Sequence, residues 1–254
     1  MTVKNDIMSN EYTPHELEWT DEKVSRFWNF RNNYQPYDDT WFTQQVGNAV
    51  LKFVHGKVPL KGKILDYGTG KGFLVQYLLE NYPSAEIFAC DFTDSLVAET
   101  AAKFSSKPAF KGCAHLTTLP SAYEANYFDV VFLIETIEHL TDNYINATMQ
   151  EINRILKPGG VVVITTPNEE ILEKTYVHCA DCGATFHHMQ HIRKWNANSL
   201  ESLAKKFNFS TLYCKGMNIQ WYTRNGLIHR MADQVKQLFS KPKRANLVYI
   251  GKKK

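Results

Sequence analysis

The spacing of apolar positions divides this chain into two parts. In the first part, apolar residues recur three or four positions apart and predict two helices, one capped by Asp21 and one over residues 41–54. The aromatic side chains of this part either pack a helical cap or roof a pocket; they are Trp19, Trp28, Tyr34, Tyr37 and Trp41. We therefore expect residues 1–58 to form a helical cap.

From residue 63 onward, short apolar runs alternate with amphipathic stretches. The runs predict strands at residues 63–67, 86–90, 109–113, 129–134, 161–165, 211–215 and 246–250. The stretches between them predict helices at residues 72–81, 94–104, 143–156, 199–207 and 225–239. This alternation is typical of an α/β fold in which helices cover both faces of a mostly parallel sheet.

Residues 59–254 are thus predicted to form one α/β domain that carries two inserts. The first insert, residues 168–197, fits neither the helical nor the strand period and is rich in cysteine and histidine. A long irregular segment inside a compact domain is usually functional or mobile. The second insert, residues 216–243, is predicted to be helical.

Length and composition exclude several classes of protein. The chain has 254 residues, of which 44% are hydrophobic, enough for a large α/β domain with its own core. A net charge of +3 disfavours nucleic acid as a partner. The polar N-terminal stretch lacks the apolar region of a secretion signal, and no apolar run has the length of a membrane span, so we expect a cytoplasmic protein. The odd number of cysteines, five, argues against a disulfide framework.

A glycine-rich turn follows the first predicted strand. Asp66 precedes Gly68, Gly70 and Gly72, and glycines let the backbone turn sharply and lie directly against a ligand. The helix that follows presents free N–H groups at its start. A nicotinamide-binding fingerprint would need glycine at position 73, where this chain has Phe73, so a dehydrogenase is disfavoured.

The segment KILDYGTGKGFL resembles motif I of class I S-adenosylmethionine-dependent methyltransferases. The resemblance continues through YFDVVFLIETIEHL, which is similar to the family's fourth strand and following loop, and LKPGGVVVITTPN, which is similar to its fifth strand. It covers roughly residues 60–170. It implies S-adenosylmethionine as the cofactor, methyl transfer as the activity, and a Rossmann-like, seven-stranded sheet with an antiparallel last strand.

The resemblance also implies which residues hold the cofactor. Asp66 would meet its ammonium group, directly or through water. Asp91 ends the second strand 21 residues after Gly70, where a carboxylate can bind both ribose hydroxyls, and Phe92 would flank the adenine. The other expected contacts are Gly68, Thr69, Gly70, Gly72, Cys113, Ala114, Ile134 and Glu135. The family's frequent acidic residue after the third strand is missing from the segment GCAHL, which leaves the adenine contact to backbone groups. A helix cap is the alternative role for Asp91.

The loop after the fourth strand contains E-x-x-E-H, formed by Glu135, Glu138 and His139. It resembles two groups of metal-dependent O-methyltransferases, which act on small-RNA 3′ ends and on catechol-type intermediates of ubiquinone synthesis. Both groups place another histidine before a helix, and His191 stands there, ahead of a helix capped near Asn198. The resemblance implies that these four carboxylate and histidine side chains hold Mg²⁺ or a similar ion, which chelates adjacent hydroxyls.

Without a metal, the same loop would act differently. His139 would then be a general base, with Glu138 as its catalytic neighbour. In the plainest interpretation, Glu135 only contacts the cofactor and Glu138 only caps a helix.

A zinc site competes for one of these residues. Cys179, Cys182, His187 and His191 follow the pattern C-x₂-C-x₄-H-x₃-H, a soft or borderline ligand set that suits tetrahedral zinc. The neighbouring His178 and His188 could substitute for either histidine of this set, His187 or His191. The alternative is a reduced, exposed cysteine pair among surface histidines. His191 cannot readily serve both metals, so the two hypotheses constrain each other.

The leading functional hypothesis is O-methylation of a small molecule or sugar that has neighbouring hydroxyls. The alternatives are metal-free N- or C-methylation of a metabolite and 2′-O-methylation of RNA 3′ ends. A cofactor-binding but inactive partner protein is the non-enzymatic alternative, and the intact acidic residues and glycines of the cofactor motifs disfavour it.

Overall fold

A computed structural model describes residues 13–34, 36, 41–222 and 245–254, with backbone only at 221–222. Its strands are β1 His15–Glu16, β2 Lys63–Tyr67, β3 Glu86–Asp91, β4 Phe110–His115, β5 Phe128–Ile134, β6 Leu156–Pro167, β7 Tyr176–His178, β8 Ala184–His187, β9 Phe209–Met217 and β10 Asn246–Lys253. Its helices are α1 Asp21–Asn33, α2 Phe42–His55, α3 Phe73–Asn81, α4 Asp94–Phe104, α5 Asp142–Ile155 and α6 Ala197–Lys206. The helix expected at 225–239, and most of the second insert, lie outside the described residues.

Seven of these strands form one sheet, in the order β4-β3-β2-β5-β6-β10-β9. Neighbouring strands from β4 to β6 run parallel, whereas β10 runs antiparallel to both β6 and β9. The predicted α/β, Rossmann-like fold class is therefore confirmed. Because parallel strands end at the same edge of a sheet, the loops after β2, β3 and β5 meet there.

Two apolar layers hold the helices against the sheet. One layer joins α2 and α3 to the sheet through fully buried side chains such as Leu74. The other joins α5 and α6 to the opposite face through side chains such as Leu200. Successive side chains of a strand point to opposite faces, so Phe132 of β5 belongs to the first layer and Leu133 to the second. Across the described ranges, no helix is both long and apolar enough to cross a membrane.

Two predicted helix caps were wrong by one or two residues. Thr20, rather than Asp21, precedes α1 in an extended conformation, and its hydroxyl accepts the Lys23 N–H at 3.4 Å. Asp21 lies in the first turn, where the helix dipole favours a negative charge. Asn196, rather than Asn198, caps α6 by a reciprocal exchange with Ser199. Each true cap is also a good capping residue type, which the pattern alone could not distinguish.

The first insert has regular structure that its sequence did not predict. Strands β7 and β8 form an antiparallel hairpin, and β1 adds to it in parallel. These strands are only two to four residues long, too short to show a period. The small sheet ties the segment before α1 to the insert and places His187 at the end of β8.

Because the side chains of β5 are buried, truncating one of them should destabilise the centre of the sheet. Leu133→Ala removes a fully buried side chain, and we expect it to lower the free energy of unfolding by about 2–5 kcal/mol. The matched control is Leu212→Ala, because that side chain is 51% exposed; we expect a change within about 0.5 kcal/mol. Urea unfolding measures both, and equal losses would contradict the assignment of β5 to the core.

Candidate active site

A cavity of about 490 Å³ lies at the sheet edge where the loops after β2, β3 and β5 meet. Helix α1 covers it, and part of the predicted cofactor set lines it: Gly68, Gly70, Asp91, Phe92 and Glu135. The acceptor-side residue His139 lines the same cavity. One cavity therefore joins the glycine turn to the E-x-x-E-H loop.

The glycine turn needs glycine for both conformation and space. Gly68 and Gly70 have φ of +80° and +53°, the left-handed region that side chains with a Cβ disfavour. A Cβ on Gly68 would lie 2.9 Å from Thr136 Oγ1, and one on Gly70 would lie 3.1 Å from the Trp41 ring. The turn is thus packed between the loop after β5 and an aromatic side chain of the cap.

Asp91 links the ends of β2 and β3. Its Oδ2 accepts the Gly70 N–H and its Oδ1 accepts the Thr93 N–H, both at 2.9 Å. Burial raises the pKa of Asp91, although these bonds partly lower it again. A carboxylate oxygen has two lone pairs, so each Asp91 oxygen can still accept a ligand hydroxyl.

Several predicted cofactor residues do not line the cavity. Asp66, Thr69, Gly72, Cys113, Ala114 and Ile134 are absent from its wall. Asp66 is buried behind the glycine turn, where its Oδ2 accepts the Thr69 hydroxyl at 2.8 Å. Burial raises the pKa of Asp66 to about 7. Because Asp66 does not line the cavity, it can act on a ligand there only through its charge.

His115 lines the cavity and was missed by the sequence analysis. It ends β4 beside Asp91, and its Nε2 lies 3.1 Å from the Phe92 carbonyl oxygen. The family resemblance implies an acidic residue at this strand end, whereas this chain has His115 one position after Ala114. Its position could have indicated a role in binding, because the carboxyl ends of parallel strands face the ligand-binding edge of the sheet.

The loop after β5 places two carboxylates inward. Glu135 has φ of +45° and accepts the Thr165 hydroxyl at 2.8 Å; burial raises its pKa to about 7. Glu138 is 1% exposed, and its Oε2 accepts the Thr166 hydroxyl at 2.9 Å. Among the described residues its Oε1 has no hydrogen-bond partner, and burial raises the pKa of this carboxyl well above its usual range.

His139 is held between the loop and the cap. Its Nδ1 lies 3.4 Å from the Gln190 carbonyl oxygen, its Nε2 lies 3.9 Å from Glu138 Oε1, and the Trp28 ring packs edge-on at 4.8 Å. Burial, together with neighbouring His191, lowers the pKa of His139 to about 3. If Nδ1 donates to the carbonyl, the Nε2 lone pair faces the orphaned oxygen of Glu138.

Two groups of ligand-type side chains meet at His191. Glu138, His139 and His191 each place a ligand atom within 4.8 Å of the others, and so do Glu170, His187 and His191. Three residues of the predicted divalent site therefore come together, whereas Glu135 belongs to neither group. Glu170 was missed: it follows TPN at the end of β6 and belongs to no motif recognised in the sequence.

The predicted zinc ligands are not brought together. Cys179 and Cys182 lie at the turn between β7 and β8, and Cys182 is exposed. Among the described residues, neither cysteine belongs to a group of three ligand-type side chains. Backbone hydrogen bonds from Cys182 and Asp181 lower the pKa of Cys179. The predicted partners, His187 and His191, lie beside Glu170 instead.

The aromatic residues of the cap divide between a pocket wall and packing. Trp28 and Trp41 line the cavity, whereas Trp19 packs against Phe27 and Phe186. Tyr34 is 44% exposed, and Tyr37 lies outside the described residues. The buried amide of Asn32 also borders the cavity, and neither of its polar atoms has a hydrogen-bond partner in the part of the chain that the structure describes.

Known proteins resemble this chain in sequence and in fold. A family model described as a methyltransferase domain matches residues 41–213. A ubiquinone biosynthesis O-methyltransferase of Roseobacter denitrificans is 24% identical over 209 residues, which cover 79% of each chain. A ubiquinone/menaquinone biosynthesis C-methyltransferase of Shewanella baltica is 26% identical over 122 residues, covering 45% of this chain and 47% of the relative.

The fold is similar to a solved structure of the Burkholderia thailandensis 1,6-didemethyltoxoflavin-N1-methyltransferase with bound 1,6-didemethyltoxoflavin and S-adenosylhomocysteine. The TM-score is 0.64 at 15% identity, over 95% of this chain and 94% of the other. Because the family match spans well over half of the residues, this chain belongs to the class I S-adenosylmethionine-dependent methyltransferases.

Proposed function

We propose that this methyltransferase transfers the methyl group to an oxygen of a small molecule or sugar with adjacent hydroxyls, assisted by a divalent ion. The observation that carries the proposal is the orphaned Oε1 of Glu138, a buried carboxylate oxygen beside His139 and His191. Ionising a buried carboxyl that has no partner is costly, and a bound cation would offset that cost.

The donor set fits such an ion. Glu138 offers oxygen and His139 and His191 offer nitrogen, a mixed set that accommodates Mg²⁺ or Mn²⁺ with places left for an acceptor. When bound, the ion would supply Lewis acidity and a template for two neighbouring hydroxyl oxygens. The ubiquinone O-methyltransferase relative supports an acceptor of this kind.

The protein's own groups bind and orient. Asp91 offers acceptor oxygens for the ribose hydroxyls, and Asp66 contributes negative charge near the cofactor's ammonium group. Trp28 and Trp41 add apolar aromatic surface to the cavity wall. A histidine with a pKa of about 3 is a weak base, so the role of His139 is better described as a ligand than as a general base.

Metal-free C-methylation of an aromatic ring is the second candidate. The similarity to a C-methyltransferase of quinone synthesis and the aromatic cavity wall, including Tyr144, favour it. Activity that persists in a chelator would identify this alternative. The zinc site at Cys179 and Cys182 stays a prediction, which elemental analysis of protein purified without chelator addresses.

Cofactor binding depends on Asp91. We expect Asp91→Ala to weaken S-adenosylmethionine binding by at least about 10–100-fold, because the loss of even one hydrogen bond to a charged acceptor costs about 1.5–3 kcal/mol. Glu99→Ala, on the exposed face of α4, is the charge-matched control and should leave affinity unchanged. Calorimetric titration measures both variants; similar affinities would contradict the ribose role.

The raised pKa of Asp66 predicts a pH dependence. The carboxylate is increasingly ionised as pH rises through 7, so cofactor affinity should increase between about pH 6 and about pH 7.5, below the pKa of the ligand's α-amino group. Asp66→Asn should flatten this profile. Glu135→Gln is measured in parallel, because burial also raises the pKa of Glu135 to about 7. An unchanged slope in Asp66→Asn would contradict an ionised Asp66 at the ammonium group.

Metal dependence tests the reaction itself. We expect methyl transfer to a simple catechol to stop in EDTA and to return with Mg²⁺ or Mn²⁺. Glu138→Gln should abolish Mn²⁺ binding, measured by electron paramagnetic resonance, because it removes the buried charge. Glu124→Gln is the exposed control. Full activity of the wild-type protein in EDTA would overturn metal assistance.

A further inference from the structure

Glu170 and His191 lie on two neighbouring chain segments, the one that follows β6 and the one that precedes α6. Backbone hydrogen bonds hold these segments together. Asn168 and Trp195 form a β-bridge, and the Glu169 N–H donates to the Trp195 carbonyl at 2.8 Å. These links hold the residue after β6 against the segment before α6. Within this frame, Glu170 Oε2 and His191 Nδ1 are 2.6 Å apart, a short charge-assisted hydrogen bond.

This hydrogen bond determines which nitrogen of His191 carries the proton. A carboxylate can only accept, so Nδ1 carries the proton, and in the neutral ring Nε2 then keeps its lone pair. The 2.6 Å separation is shorter than that of an ordinary N–H···O hydrogen bond, as expected where the acceptor is a carboxylate.

His187 is committed to a different role from His191. Its Nδ1 accepts the backbone N–H groups of Met189 and His191, both at 3.2 Å. A neutral imidazole that accepts at Nδ1 carries its proton on Nε2, and that atom lies 3.3 Å from Glu170 Oε1 without hydrogen-bond alignment. His187 therefore has no free lone pair for a metal and presents an N–H to the second carboxylate oxygen.

We propose that Glu170 is a positioning residue that fixes His191 as the Nδ1–H tautomer and so presents its Nε2 lone pair to the divalent ion, with His187 steadying the carboxylate. This inference rests on the metal-assisted function proposed above. A carboxylate behind a ligand histidine fixes the ring and raises its basicity as a ligand. The same tautomers argue against a second ion within the Glu170, His187 and His191 group.

The tautomer can be read without any metal. Long-range ¹H–¹⁵N correlation spectra of metal-free protein should show His191 protonated at Nδ1 and unprotonated at Nε2. In Glu170→Ala, the Nε2–H form should appear. Glu170→Gln keeps the side-chain size and serves as the second variant if Glu170→Ala does not fold. Its neutral amide is a weaker acceptor for Nδ1–H, so a smaller fraction of the Nε2–H form should appear. An unchanged His191 tautomer in the folded variants would overturn the proposal.

Metal affinity gives the second readout. We expect Glu170→Ala to weaken Mn²⁺ binding by about 10–100-fold, the usual effect of removing such a partner, with a smaller loss in Glu170→Gln. Glu173→Ala, an exposed carboxylate three residues away, is the matched control and should bind Mn²⁺ as the wild type does. Unchanged affinity in both Glu170 variants would overturn this inference alone. Wild-type protein that binds no Mn²⁺ would overturn the proposed function and this inference together.

Discussion

The site depends on a carboxylate that is buried without full compensation. Glu138 is almost inaccessible to solvent. Thr166 donates a hydrogen bond to one of its oxygens, and the other has no hydrogen-bond partner within the described ranges. Removing such a group from water is costly, and a fold retains it only where something offsets the cost. His139 and His191 are the ligand-type side chains that lie beside it, and they come from two separate segments, so the site requires both segments to converge at Glu138.

One polar side chain of the first insert, Gln190, hydrogen-bonds to both neighbouring segments and holds them together. Gln190 is fully buried: its Oε1 accepts the Trp28 N–H at 2.7 Å, and its Nε2 donates to the His139 carbonyl at 3.0 Å. The cap, the loop after β5 and the insert therefore share one hydrogen-bonded residue. A buried, fully satisfied network specifies a single arrangement, because each alternative leaves a polar group unpaired. Helix α1 thus helps to build the site as well as to cover it.

The sheet and the glycine turn were predictable because their signals are local. Strand–helix alternation, Asp66 and the spacing of Gly68 and Gly70 all lie within short windows, and the structure confirms the resulting fold. Glu170 was not predictable in this way, since its contact with His191 spans 21 positions and depends on the backbone pairing of β6 with the segment before α6. The hairpin of the insert was missed because its strands are shorter than a recognisable period.

The charge of the pocket explains how the cofactor and the ion can depend on each other. Burial raises the pKa of four carboxyl groups at this edge of the sheet: Asp66, Asp91, Glu135 and Glu138. A sulfonium and an ammonium group near the glycine turn would favour the ionised forms of the first two, and a divalent ion would favour that of Glu138. Each cation that bound would therefore change the protonation of a shared, buried acidic region. Binding of the cofactor would then be coupled electrostatically to binding of an ion beside Glu138, in addition to any contact between the ligands.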